Sequence, residues 1–80
     1  MISEGIKNKL IMAMWLPNSF GHYESMHRRI NGTMVSISGC ELTIHTDKGS
    51  KTQLVETIND ICEVLKENGL HDTNLERYCR

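Results

Sequence analysis

Apolar residues along this chain follow a two-residue alternation through its middle and a helical period in its last third. Residues 6–16 read IKNKLIMAMWL. On a strand, Leu10, Met12, Met14 and Leu16 share one face and Ile11, Ala13 and Trp15 the other. A strand apolar on both faces is expected to be covered on both sides. Pro17 is expected to end it, because proline has no N–H to continue a ladder.

Residues 20–32 fit two elements. Tyr23, Met26, His27 and Ile30 have the i, i+3, i+4, i+7 spacing of a helix that Ser19 would cap and Gly32 would close. As a strand, the same segment runs into Asn31-Gly32, the favoured pair for a two-residue type I′ hairpin. The hairpin is preferred, since a further strand pattern from Thr33 to Ser38 follows that pair at once. Val35 and Ile37 alternate there with Met34, Ser36 and Ser38. After a turn at Ser38-Gly39, Cys40, Leu42 and Ile44 alternate with Glu41, Thr43 and His45. This is the pattern of a half-buried antiparallel hairpin. Asp47-Lys48-Gly49 supplies the turn chemistry that ends it.

A helix is expected over residues 50–69. Ser50 and Gln53 have the spacing of a capping box. Leu54, Val55, Ile58, Ile61, Cys62 and Leu65 fall within an arc of about 120°, the width of a helix lying on a sheet. Gly69 suits the left-handed position after the last turn, where Leu70 can fold back, and Asp72 or Thr73 can cap a short final turn. The outer face carries Glu56, Asp60, Glu63 and Glu67, with only Lys66 nearby. Like charges at i, i+4 cost an isolated helix about 0.2–0.5 kcal/mol per pair, and two such pairs are tolerated here.

Composition narrows the function classes. Eighty residues suit a single domain, 1–80. Aromatic content of 5% leaves the core to aliphatic side chains and methionine, with little area for a deep ligand pocket; dimerisation would bury more. The net charge of −1 argues against strong non-specific attraction to nucleic acid. It is unevenly placed: residues 1–40 carry +2 and residues 41–80 carry −3. Cys40, Cys62 and Cys79 are odd in number and widely spaced, and no leader-like segment precedes them, so reduced thiols in the cytoplasm are expected. A Cys40–Cys62 bridge is geometrically allowed but unsupported by spacing. Cys40 and Cys62 read as small inward-facing core residues, without the electropositive, exposed setting of a reactive thiol.

Candidate chemistry is sparse. His22 and His27 have one ligand-like spacing, but no close cysteine pair joins them, so no metal or other cofactor is expected. Motifs for nucleophilic, phosphate-binding or dinucleotide chemistry are missing from the chain, and its carboxylate pairs lie on an outer helix face. An enzyme is therefore not expected. Met34 should face outward opposite Val35 and Ile37, and with Trp15 would form an apolar contact patch suited to a dimer or partner.

The expected architecture is an α+β domain: a three- to four-stranded antiparallel sheet with one long C-terminal amphipathic helix packed on one face. Its order is β-β-β-β-α, or β-α-β-β-α if residues 19–30 are helical. The expected function is that of a small non-enzymatic protein-interaction module, an inhibitor or regulator of bacterial or mobile-element origin. It would dock on a protein with a basic surface through Glu56, Asp60, Glu63 and Glu67, for instance as a mimic of nucleic acid. The alternative is direct nucleic-acid binding through Lys7, Lys9, Arg28 and Arg29, helped by His22, Tyr23 and His27. Those same basic residues would otherwise serve self-association.

Overall fold

The computed structural model describes residues 2–19 and 22–79. The order is α1 (Glu4–Met12), β1 (Leu16–Ser19), β2 (His22–Ile30), β3 (Thr33–Ser38), β4 (Glu41–Thr46), β5 (Gly49–Leu54), α2 (Ile58–Glu67) and α3 (Thr73–Glu76). The five strands form one antiparallel meander in the order β1-β2-β3-β4-β5. The class is thus α+β, with five strands and short helices in place of fewer strands and one long helix.

The first expected strand is a helix. Ser3 caps α1, its hydroxyl accepting from the Ile6 N–H at 3.4 Å. Ile2, Leu10 and Ala13 are buried and Ile6 packs beside them, a turn-by-turn spacing along a helical face. Leucine, methionine, alanine and lysine all favour helix, so the apolar run has no intrinsic bias to strand. The proposed strand face of Leu10, Met12, Met14 and Leu16 is split: Leu10 is fully buried, whereas the other three are at least 57% exposed. Pro17 does not end a strand but lies inside β1, opposite Met26. Because β1 is an edge strand, proline's missing N–H is tolerated there.

The central hairpins follow the pattern. Asn31 (φ 50°) and Gly32 (φ 82°) take the two left-handed positions of the turn between β2 and β3. Val35 pairs with Arg28 and Ile44, and Ile37 pairs with Met26 and Leu42. Met26, Val35, Ile37, Leu42 and Ile44 are all buried. Cys40 instead occupies the Gly39-Cys40 turn and is exposed, because the strand starts only at Glu41.

The segment assigned to the start of the long helix is β5. Ser50, Thr52 and Leu54 pair with His45, Thr43 and Glu41. All six β5 residues are exposed, so burial imposes no alternation on their sequence. The true capping box lies seven residues beyond Ser50 in Thr57-x-x-Asp60. The Asp60 N–H donates to Thr57 Oγ1 at 3.1 Å, and Asp60 Oδ2 accepts from the Thr57 and Glu56 N–H groups at 3.2 and 2.9 Å. Ile58, Ile61, Cys62, Val64 and Leu65 form the buried face of α2. Gly69 (φ 74°) closes the helix as expected, with the Leu70 N–H donating to the Leu65 carbonyl at 2.8 Å.

The buried strand residues and the buried residues of the three helices form one cluster, and among the described residues no layer covers the other sheet face. The C-terminal segment is tied to α2 by a Cys62–Cys79 disulfide. This replaces the expectation of three reduced thiols, and a pairing more usual in oxidising compartments no longer points to the cytoplasm. Among the described residues, no helix is long and apolar enough to cross a membrane.

Reducing Cys62–Cys79 should lower unfolding stability by about 3 kcal/mol, the loop-closure term for a loop of this size. Thr57→Ala should cost about 1 kcal/mol through loss of the cap. Urea titrations with and without reductant, and of the variant, measure both.

Candidate interaction surface

Strand alternation sends half of each strand's side chains away from the core. Across the uncovered face, Leu16, His27, Ser36, Thr43 and Thr52 form one cross-strand row, and Arg29, Met34, His45 and Ser50 form the next. The polar members hold one another. His27 Nδ1 is hydrogen-bonded to Asn18 Oδ1. Ser36 Oγ lies 3.0 Å from His45 Nε2, Ser50 Oγ lies 3.4 Å from His45 Nδ1, and the Thr43 and Thr52 hydroxyls are 3.0 Å apart.

Two adjoining depressions lie on this face. One, of about 380 Å³, is lined by Asn18, His27, Met34, Ser36 and His45. The other, of about 340 Å³, is lined by Met14, Leu16, His27, Arg28, Arg29 and Met34. They share His27 and Met34 and form one trough, with polar Asn18, Ser36 and His45 at one end and the apolar side chains of Met14 and Leu16, beside Arg28 and Arg29, at the other. None of these lining residues is acidic.

The Ser36–His45–Ser50 chain has the spacing of a hydroxyl beside a base. Acyl transfer would also need donors aimed at a developing oxyanion. The strand amides around Ser36 lie within the β2–β3–β4 ladder, and the site is open to water. The trough sets hydrogen-bonding side chains and two arginines beside the Met14 and Met34 thioethers.

One buried carboxylate positions the apolar end. Asp72 is 4% exposed, and its Oδ2 accepts from the Trp15 indole N–H at 2.8 Å. Arg28 Nε lies 3.5 Å from the same oxygen, while Oδ1 accepts from the Asn74 and Leu75 N–H groups at 3.2 Å each, capping α3. Arg28 Nη1 also donates to the Met14 carbonyl at 3.3 Å. Sequence reading found the cap but missed the clamp. The signal was the lone tryptophan, whose indole N–H needs an acceptor once buried. Trp15 therefore belongs to the core and not to the contact patch assigned to it, whereas Met34 does line the open face.

The expected site residues are redistributed. Glu56 precedes α2, and Asp60 is engaged in its capping box. Only Glu63 and Glu67 remain as an exposed pair on the helix, because the helix begins at Ile58. The four basic residues do not converge either. Lys7 pairs with Glu4 at 3.1 Å, and Lys9 lines a separate depression beside Thr57 and Tyr78. Arg28 is turned to Asp72, while exposed Arg29 donates from Nη1 to the Gly32 carbonyl at 3.2 Å. The side chains of His22 and Tyr23 lie outside the described part of the structure. Among the described residues, no cluster of three histidine, cysteine or acidic groups could hold a metal.

Comparison with protein families, with curated proteins and with solved structures finds no match to this chain.

Asp72→Ala should destabilise the fold by about 3–5 kcal/mol, because it leaves the indole and guanidinium without their acceptor and uncaps α3. Trp15→Phe should cost about 1.5–3 kcal/mol by removing one bond to a charged acceptor. Chemical denaturation monitored by circular dichroism gives both values.

Proposed function

We propose that this chain is a non-enzymatic interaction module, an inhibitor or regulator that docks on a macromolecular partner. The observation that carries the reading is the run of exposed large apolar side chains at Met12, Met14 and Leu16, which are 61%, 64% and 57% exposed. Met14 and Leu16 adjoin Met34 on a sheet face that no helix covers. Grouped exposed apolar side chains mark contact surfaces, and methionine adapts its shape to a partner.

A second surface for the same function is the acidic one. Glu63 and Glu67 are exposed one turn apart on α2, with Glu56 exposed before the helix and Asp60 partly exposed between them. This surface would meet a basic protein surface. Nucleic-acid binding is the competing function, and what favours it is Arg29 beside His27 on a trough whose lining residues include no carboxylate.

Affinity capture from the native host with three baits separates these readings. The expected result is a partner retained by the wild-type chain and lost by Leu16→Ser/Met34→Ser, by Glu63→Lys/Glu67→Lys, or by both. A partner captured equally by all three folded baits, or a nuclease-sensitive capture that a fourth bait, Arg29→Glu, abolishes, would contradict the proposal.

A further inference from the structure

We propose that the open-face trough takes an acidic segment with apolar anchors from the partner, its side chains on Met14, Leu16 and Met34 and a carboxylate on Arg29. The inference rests on the docking function above and specifies the chemistry of what is docked.

Backbone conformation at Met14 is the first observation. Helix α1 ends as α2 does. The Trp15 N–H donates to the Leu10 carbonyl at 2.9 Å and the Met14 N–H to the Ile11 carbonyl at 3.1 Å. The Leu70 and Gly69 N–H groups repeat this on Leu65 and Lys66 at 2.8 and 3.0 Å. The motif needs a left-handed residue, and α2 supplies glycine there, at φ 74°. In α1 the same position is Met14, at φ 72°, with its side chain 64% exposed. A side chain in that conformation costs roughly 1–2 kcal/mol, and this one makes little buried contact in return. Folding alone would be served by glycine. The thioether is held outward at the rim of the trough, where a partner can cover it.

Charge is the second observation. Arg29 is exposed and commits Nη1 to the Gly32 carbonyl, which leaves guanidinium N–H groups for a two-point contact with a carboxylate. Arg28 is balanced by Asp72, so among the described lining residues Arg29 is the cation left to select a ligand at the Met14–Leu16 end. His27 lies between that end and the polar one, and the lining residues contain no carboxylate to repel an acidic segment.

Other occupants fit less well. Single-stranded nucleic acid uses aromatic platforms and a track of cations, and among the described residues that line the trough there is one uncompensated arginine and no phenylalanine, tyrosine or tryptophan. A second copy could offer its own Glu63 and Glu67, but these belong to α2, in the layer behind the sheet. Joining the front of one copy to the back of the next makes a head-to-tail contact that does not close on itself.

A random peptide library displayed on phage and selected against the full-length chain tests the proposal, with selected peptides then measured by fluorescence anisotropy. The expected winners are acidic and carry apolar residues. Their affinity should fall at least about tenfold, roughly one charge-assisted contact, in Arg29→Glu. It should also fall in Met34→Ser and in Met14→Gly. The glycine variant relieves backbone strain and should be no less stable than the parent, so its loss of binding cannot be assigned to unfolding. Neutral winners, no winners, or acidic winners indifferent to Arg29→Glu and Met14→Gly would overturn the proposal. So would a poly-uridine oligonucleotide that displaces the winners from the trough. Basic winners lost in Glu63→Lys/Glu67→Lys would overturn it too, while leaving the docking function standing on the helix face.

Discussion

The Asp72 carboxylate is the constraint on which the rest of this structure depends. A buried charge is tolerated only when its oxygens are satisfied. Here two remote segments and the adjoining helix satisfy it: the Trp15 indole ahead of β1, the Arg28 guanidinium of β2, and the Asn74 and Leu75 N–H groups of α3. Each of these groups is fixed in turn. Trp15 is drawn into the core, so Met14 just before it is turned outward. Arg28 reaches across to the Met14 carbonyl and locks the same corner from the strand side. One charged group thus decides both where the C-terminal segment docks and which side chains reach the open face.

The layering follows from how little apolar surface a short chain can bury. One sheet face and the three helices share a single core, and among the described residues no element covers the second face. That face is polar in its centre, where histidines and hydroxyls are bonded to one another, and apolar at the corner the clamp controls. The disulfide between Cys62 and Cys79 adds a covalent tie at the end of the chain, beyond α3. A fold closed on one side and held at its edges can present the other side to a partner without rearranging.

The elements legible in the sequence are those where burial on one side wrote a period into it. Val35, Ile37, Leu42 and Ile44 announced two strands, Asn31-Gly32 their turn, and Gly69 the end of α2. Strand β5 left no such mark, because both of its faces meet solvent. Ser50-x-x-Gln53 and Thr57-x-x-Asp60 both satisfy the spacing of a cap, and only pairing with β4 decides between them. Helix α1 was hidden because leucine, methionine and alanine fill strand and helix patterns alike. Met34 could be placed outward from alternation. The trough could not be found that way, since it joins a helix terminus to four strands that become neighbours only in the fold. Linear spacing also could not show that one member of each charged grouping is engaged, Asp60 in its capping box and Arg28 on Asp72.

Hydrogen exchange at the Trp15 indole N–H, followed by heteronuclear NMR, tests the clamp most directly. The account predicts a proton that survives as long as the central amides of β3, since it is buried and bonded to Asp72 at 2.8 Å. An indole proton that exchanges before the first spectrum, while the β3 amides persist, would contradict it.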